Sequence, residues 1–184
     1  FGVAPTLLLY LWALQHLPGR LGWVIALAHA IACALRLARF NAQIDAADQP
    51  HKRLGYLTGI PAPAGAGLTL TPFYLQFWLD PVWLQDEVVR ASVVAVTGLA
   101  VAFMMVSNLP TYSWGSVRLR PSWRFPALAV IGLLAGALFT NPWATLTIFS
   151  AAYALSIPFA IRSYARIRAR DEAARRATGT GIQP

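Results

Sequence analysis

Long apolar stretches, separated by connections that carry the basic residues, constrain this sequence more than any other feature. Four of them approach or exceed the roughly 20 residues that a helix needs to cross the hydrocarbon core of a bilayer. They cover residues 21–39, 57–79, 91–110 and 142–161. In a water-soluble domain, helices this apolar would expose too much hydrophobic surface to solvent. The sequence therefore predicts an all-α fold, a polytopic bundle of transmembrane helices.

Two further apolar segments are shorter. Residues 125–140 hold Gly132 and Gly136 in a small-xxx-small pattern, which favours close packing against another membrane helix, and we expect a fifth span there. Residues 1–14 are too few to cross about 30 Å of hydrocarbon at about 1.5 Å per residue. They form either a short interfacial helix or the remaining part of a membrane helix. We therefore expect about five full spans and a partial N-terminal helix.

Composition and charge argue against a nucleic-acid-binding protein. Hydrophobic residues make up 57% of the chain and charged residues 12%, and the mean hydropathy is +0.53. The formal net charge is +8, but the basic residues interrupt apolar runs instead of covering one solvated face. We expect no nucleic-acid partner. Cys33 is the only cysteine, which excludes a disulfide or a cysteine metal site within the chain.

The distribution of lysine and arginine predicts the orientation of the bundle. Cytoplasmic connections of membrane proteins are enriched in these residues. All but Arg20 and Arg90 of the 15 fall on alternate connections that would share one side of the membrane. We expect that side to be cytoplasmic. The basic C-terminal tail should then contact anionic lipid headgroups, since such headgroups attract arginine and lysine.

Arg36 and Arg39 are the strongest candidates for chemistry. They lie three residues apart near the end of the second apolar segment, so both guanidinium groups should project from one face of a helix at the membrane boundary. One interpretation is that each arginine only extends its charged head to the interface. The other is an anion site, because the planar guanidinium fork matches carboxylates and phosphates.

A broken helix entry follows the polar connection after Asn41. Residues 58–63 read Thr-Gly-Ile-Pro-Ala-Pro, and irregular backbone at membrane depth is tolerated where it lines a polar cavity or is shielded by protein. Ser107 and Asn108 either donate hydrogen bonds into that cavity or cap a helix. His29 is expected to hydrogen-bond within the bundle.

These elements together resemble a known family. Residues 1–5 (FGVAP), 34–41 (ALRLARFN), 58–63 (TGIPAP) and 105–112 (MVSNLPTY) look like the CDP-alcohol phosphatidyltransferase family, and most closely its bacterial, serine-using branch. The resemblance runs over residues 1–112. Residues 113–165 match only as two additional transmembrane helices, and residues 166–184 form the basic cytoplasmic tail.

The resemblance implies a phosphatidyl transfer from CDP-diacylglycerol to L-serine with release of CMP, in the bacterial cytoplasmic (inner) membrane. It implies substrate binding by Arg36, Arg39, Asn41 and Ser107, contact with membrane lipids, and it is compatible with a homodimer. Family members hold a divalent metal, magnesium or manganese, on a signature of four aspartates that does not occur in this sequence. The resemblance therefore places no catalytic residue and no metal ligand in this chain, implies a chain cut directly after that signature, and predicts that residues 1–184 alone are inactive.

Two alternatives remain open at this point. A relative that uses another alcohol, such as glycerol phosphate or inositol phosphate, would share the fold, although the TGIPAP and MVSN elements favour serine. A small polytopic transporter would also combine arginines with broken helices around a polar pathway. The sequence shows no inverted repeats, which ranks the transporter below the enzyme.

Overall fold

The computed structural model describes residues 1–42, 56–107, 110–112 and 124–177. Within them the chain is almost entirely helical. The helices and strands, in chain order, are α1 (Val3–Trp12), α2 (Leu21–Ala42), β1 (Tyr56–Thr58), α3 (Ala62–Thr69), α4 (Thr71–Leu79), α5 (Val82–Gln85), α6 (Glu87–Val106), β2 (Pro110–Tyr112), α7 (Arg124–Thr140) and α8 (Pro142–Ala177), with a single 3-10 turn at Leu14–His16.

Three helices are long and apolar enough to cross a membrane: Leu21–Ala42, Glu87–Val106 and the Pro142–Ser163 part of α8. Their outward faces are apolar as well, and Phe103, for example, is 73% exposed. Such faces are stable in contact with the hydrocarbon core of a bilayer, where apolar side chains avoid the free-energy cost of exposure to water. The prediction of an all-α transmembrane bundle is confirmed.

The predicted span 57–79 is wrong as a single helix. It begins as strand β1, and its helical part is divided at Leu70, whose φ of −81° and ψ of −2° separate α3 from α4. Pro72 lies two residues further on and has no N–H to donate, so the regular hydrogen-bond ladder cannot pass through it. Leu70 N still bonds to Ala66 O, and Tyr74 N to Leu70 O, both at 3.1 Å. The result is a kinked helix pair.

Helices α2 and α6 form the centre of the bundle. Asp86 begins α6 by accepting hydrogen bonds from the backbone N–H groups of Val88 and Val89, each at 2.9 Å, which satisfies two donors that the first helical turn leaves free. Two clusters of buried apolar side chains pack near opposite ends of the helices: Leu9, Ala13, Leu14, Ala26, Val94 and Ala95 in one, and Ile60, Leu68, Val101, Met105 and Ile157 in the other.

A short antiparallel ladder joins the two irregular segments of the chain. Tyr56 pairs with Tyr112, and Thr58 with Pro110. The ladder holds the turn after β1 against the end of α6, and α8 packs against β2. The predicted broken entry at residues 58–63 is therefore confirmed, and it lies beside the C-terminal end of α6.

Helix α7 contacts α8, its main partner among the described elements. A side chain built on Gly132 or Gly136 would meet nothing within 4 Å, so within the described residues this small-xxx-small pattern does not make the close helix contact that it predicts. Phe139 on the same helix is 91% exposed.

Candidate functional site

The site lies where the C-terminal ends of α2 and α6 meet. Arg36 is buried, with 8% of its surface exposed, and Arg39 is partly exposed. The guanidinium of Arg39 donates from Nη1 to the backbone carbonyl of Val106 at 2.8 Å. Val106 is the last residue of α6, where helix carbonyls lack intrahelical partners and the helix dipole is negative. Arg39 therefore lines the cleft and also offsets the partial negative charge at the C-terminal end of α6.

Between these helix ends is a cleft of about 380 Å³ that contains both predicted arginines. Its wall combines the two cations with small and apolar side chains, so that a bound anion would meet positive charge in surroundings of low polarity. The lining residues are Leu35, Arg36, Ala38, Arg39, Ala42, Met105 and Val106.

Gly59 fixes the turn after β1 against Arg36. Its φ of +71° lies in the left-handed region that glycine adopts without strain. A Cβ added there would lie 2.9 Å from Arg36 Nη1, from the carbonyl oxygen of Met105 and from that of Ser107. Any side chain would displace the guanidinium or the end of α6, so glycine is required by both its backbone angle and its neighbours.

Ser107 and Asn41 are placed differently from the two arginines. The Ser107 hydroxyl donates to the Met104 carbonyl at 2.8 Å, which is the capping alternative, while its own carbonyl faces Gly59. Asn41 lies in the last turn of α2 and is exposed. Asn108 lies outside the described residues.

Tyr153 was not found from the sequence. It is on α8, packs against the cluster that contains Ile60 and Met105, and is close enough to Arg36 for the two groups to interact electrostatically. Its hydroxyl is buried and has no hydrogen-bond partner in the described part of the chain. A tyrosine in an apolar helix carries no sequence signal for such a position, because only tertiary packing brings α8 to α2.

His29 is another buried polar side chain of the bundle, with 1% of its surface exposed. Its Nδ1 lies 3.3 Å from the Gly98 carbonyl and 3.5 Å from the Thr69 hydroxyl. A carbonyl can only accept, so Nδ1 carries the proton and Nε2 is left as an acceptor. The predicted hydrogen bond within the bundle is confirmed, and it links α2, α3 and α6.

The described residues do not fit a metal site. No three histidine, cysteine, aspartate or glutamate side chains converge within the ranges that the structure describes. The acidic pair Asp45 and Asp48 lies outside those ranges.

Sequence comparison finds a protein family that part of the chain resembles. A family model described as CDP-alcohol phosphatidyltransferase 2 matches residues 122–158, which cover α7 and much of the membrane-spanning part of α8. The motif resemblance ended at Tyr112, so the likeness to the family extends further along the chain than the motifs indicated. Residues 122–158 are thus similar to the CDP-alcohol phosphatidyltransferase family.

The relatives share one name, CDP-diacylglycerol–serine O-phosphatidyltransferase. The relative from Mycobacterium bovis is 35% identical over 168 residues, covering 89% of this chain and 55% of the relative. The relative from Mycobacterium leprae is 32% identical over 178 residues, covering 94% and 56%. The relative from Helicobacter pylori strain 26695 is 28% identical over 153 residues, covering 83% and 59%. The chain thus spans a little over half the length of the curated relatives it matches.

Proposed function

We propose that the protein containing this chain transfers a phosphatidyl group from CDP-diacylglycerol to L-serine and releases CMP. The observation that carries the proposal is the match over most of the chain to relatives that bear this activity in their names. The cleft between α2 and α6 supports it, because each substrate carries an anionic group, the diphosphate in one and the carboxylate in the other, and the cleft presents Arg36 and Arg39.

In the proposed reaction the serine hydroxyl oxygen forms a bond to the β-phosphorus of CDP-diacylglycerol. The bond from that phosphorus to the bridging oxygen breaks, and CMP leaves with its electron pair, while the hydroxyl proton passes to a base. Arg36 and Arg39 bind the diphosphate or the serine carboxylate through charge-assisted hydrogen bonds. Asn41 and Ser107 are the weaker binding candidates at the same helix ends.

A divalent cation, magnesium or manganese, enters the proposal only through the family. When bound, it would stabilise charge on the diphosphate. Because the described residues offer no group of ligands for it, no step is assigned to it in this part of the chain.

We propose further that the arginine-bearing end of α2 faces the cytoplasm of a bacterial cell, with the protein in the inner membrane. The arrangement of the helices supports this orientation. Arg36 and Arg39 lie together at one end of α2 and α6, whereas Asp86 and Glu87 begin α6 at the other. Basic residues at one end are the usual mark of the cytoplasmic side.

The test is CMP release by the protein with its natural termini, purified in detergent with CDP-diacylglycerol and magnesium or manganese. Serine, glycerol phosphate and inositol phosphate are compared as acceptors. We expect release that depends on serine and phosphatidylserine as the lipid product. Turnover with a phosphorylated alcohol instead of serine would support a phosphatidyl transfer but contradict serine as the acceptor. No turnover with any acceptor would overturn the proposed function.

A further inference from the structure

An apolar groove lies in the membrane-spanning part of the bundle, and it shares no lining residue with the arginine cleft. Its volume is about 480 Å³. One wall is α3 with α4, and the others are α6 and α8; α3 contacts both α6 and α8, while α6 and α8 make little direct contact within the described residues. The lining includes Leu75 and Trp83 towards one end, Val96 and Ala100 in the middle, and Ala154 and Ile157 towards the other.

The lining is apolar between its ends. Three lining residues carry hydroxyls, and each hydroxyl already donates to a backbone carbonyl: Thr97 to Val93 at 2.8 Å, Thr71 to Gly67 at 3.3 Å and Ser150 to Gly67 at 3.4 Å. Water needs polar partners to occupy a cavity, and apolar cavities stay dry or bind apolar ligands. The lining therefore favours an apolar occupant.

The groove is long enough for an extended hydrocarbon chain. Along α6 the lining runs from Val93 to Met104, which is about 16 Å at 1.5 Å per residue. An unbranched acyl chain that lies along the groove can contact the apolar lining over that whole length.

The end of the groove at Trp83 indicates which class of lipid would supply the acyl chain. Trp83 is 51% exposed, and tryptophan concentrates at the membrane–water interface. The same end carries the exposed acidic residues Asp80, Asp86 and Glu87. Glu87 lies 3.9 Å from His16 Nε2, Asp86 also caps α6, and the Arg90 guanidinium lies over the Trp12 ring. Carboxylates attract an ammonium group and repel a net negative headgroup. Arg36 and Arg39 lie at the opposite end of α2 and α6, so a headgroup at the Trp83 end is not in the arginine cleft.

We propose that the groove binds one acyl chain of a zwitterionic phospholipid whose ammonium headgroup lies at the Trp83 end. The proposal rests on the apolar lining of the groove and on the residues at its Trp83 end, and not on the proposed transferase activity.

The test uses the protein with its natural termini, purified in mild detergent and measured by native mass spectrometry with added phosphatidylethanolamine or phosphatidylglycerol. Ala100→Phe and Ala154→Phe fill the groove; Ala135→Phe on the exposed face of α7 is the matched control. We expect one retained phosphatidylethanolamine per wild-type and control chain. The filled variants should retain it at least about tenfold less, because each CH₂ group withdrawn from an apolar site weakens binding. Asp80→Asn with Glu87→Gln should reduce the preference over phosphatidylglycerol.

Equal retention by wild type and both filled variants would overturn the site. Since a phenylalanine variant can fail to fold, Ala100→Leu is added as a smaller substitution that fills the groove less. If the wild-type protein retains no phospholipid, the proposal is wrong, whatever the variants do. Equal retention of the two phospholipids by wild type would overturn the headgroup assignment. A photoreactive residue at position 100 should crosslink to lipid; a crosslink to protein would show that a polypeptide segment fills the groove.

Discussion

Arg36 and Arg39 are three residues apart but have different surroundings. Arg36 is buried beside the Gly59 turn, and Arg39 is partly exposed and bonded to the last carbonyl of α6. The sequence predicted the shared helical face but could not predict this difference, because it depends on which turn and which helix end pack against α2. Compensation of a helix end and anion binding are not exclusive roles, since a guanidinium has five N–H donors.

Replacing either arginine separates these roles. If both bind substrate anions, Arg36→Ala or Arg39→Ala should each lose about 1.5–3 kcal/mol of a charge-assisted contact, or about 10- to 100-fold in kcat/KM. Arg39→Lys keeps a charge near the end of α6 but loses the forked geometry, so it should restore stability more than kcat/KM. The measurement is CMP release at equal membrane abundance, with Arg20→Ala as control. Near-normal kinetics of both alanine variants would assign the arginines to structure alone.

Gly59→Ala tests the turn that holds Arg36. The substitution adds backbone strain of about 1–2 kcal/mol at a positive φ and places a Cβ 2.9 Å from three atoms, one of them on Arg36. Gly19→Ala is a matched control, because Gly19 has a φ of +65° and a Cβ there meets nothing within 4 Å. We expect Gly59→Ala to lower both Tm and kcat/KM, and Gly19→Ala to lower Tm alone by a smaller amount. Equal effects would show that the Arg36 contact has no part in activity.

At the scale of the helices, the sequence predicted helix positions best where they depend only on the length and apolarity of a segment. Helices α2 and α6 are about 20 apolar residues long and follow their predicted segments closely. The ladder of β1 and β2 was not predicted, because strands of three residues are too short to show a period. The division of α3 from α4 also needed the structure: Pro72 marks a weak point, but the fold decides whether a helix bends or ends there.

His29 links three of these helices, and His29→Leu measures what the link contributes. Leucine replaces the apolar volume but loses the contacts with Gly98 and Thr69. Hydrogen bonds between membrane helices contribute about 0.6 kcal/mol on average and up to about 1.7 kcal/mol. We expect His29→Leu to lower the free energy of unfolding, measured in mixed micelles, by an amount in that range. His16→Leu, near the surface, should lower it less. A loss well above about 2 kcal/mol would mean that Nε2 also binds a group outside the described residues.

At the scale of the whole molecule, polar and apolar groups are arranged as a bilayer requires. Charged side chains gather at the two ends of α2 and α6, and the flanks between them are apolar and exposed. The sequence predicted this arrangement from its charge distribution. It predicted a polar cavity at the broken helix entry but not the helices that form the arginine cleft, α2 and α6, and it did not predict the apolar groove between α3, α4, α6 and α8. Both depend on packing between helices that are far apart in the chain.

Cysteine labelling in intact cells tests whether α7 crosses the membrane. Helix α7 has an apolar part of only 16 residues (Phe125–Thr140), or about 24 Å, slightly short of the hydrocarbon core. If it crosses, the three crossings of α6, α7 and α8 separate positions 86 and 172. In a Cys33→Ala background, Asp86→Cys should then react with an impermeant reagent from outside and Glu172→Cys only after the membrane is opened. Arg20→Cys should behave like Asp86→Cys, since two crossings separate them. Reaction of positions 86 and 172 from one face would require an even number of crossings between them, and α7 would then lie at the interface.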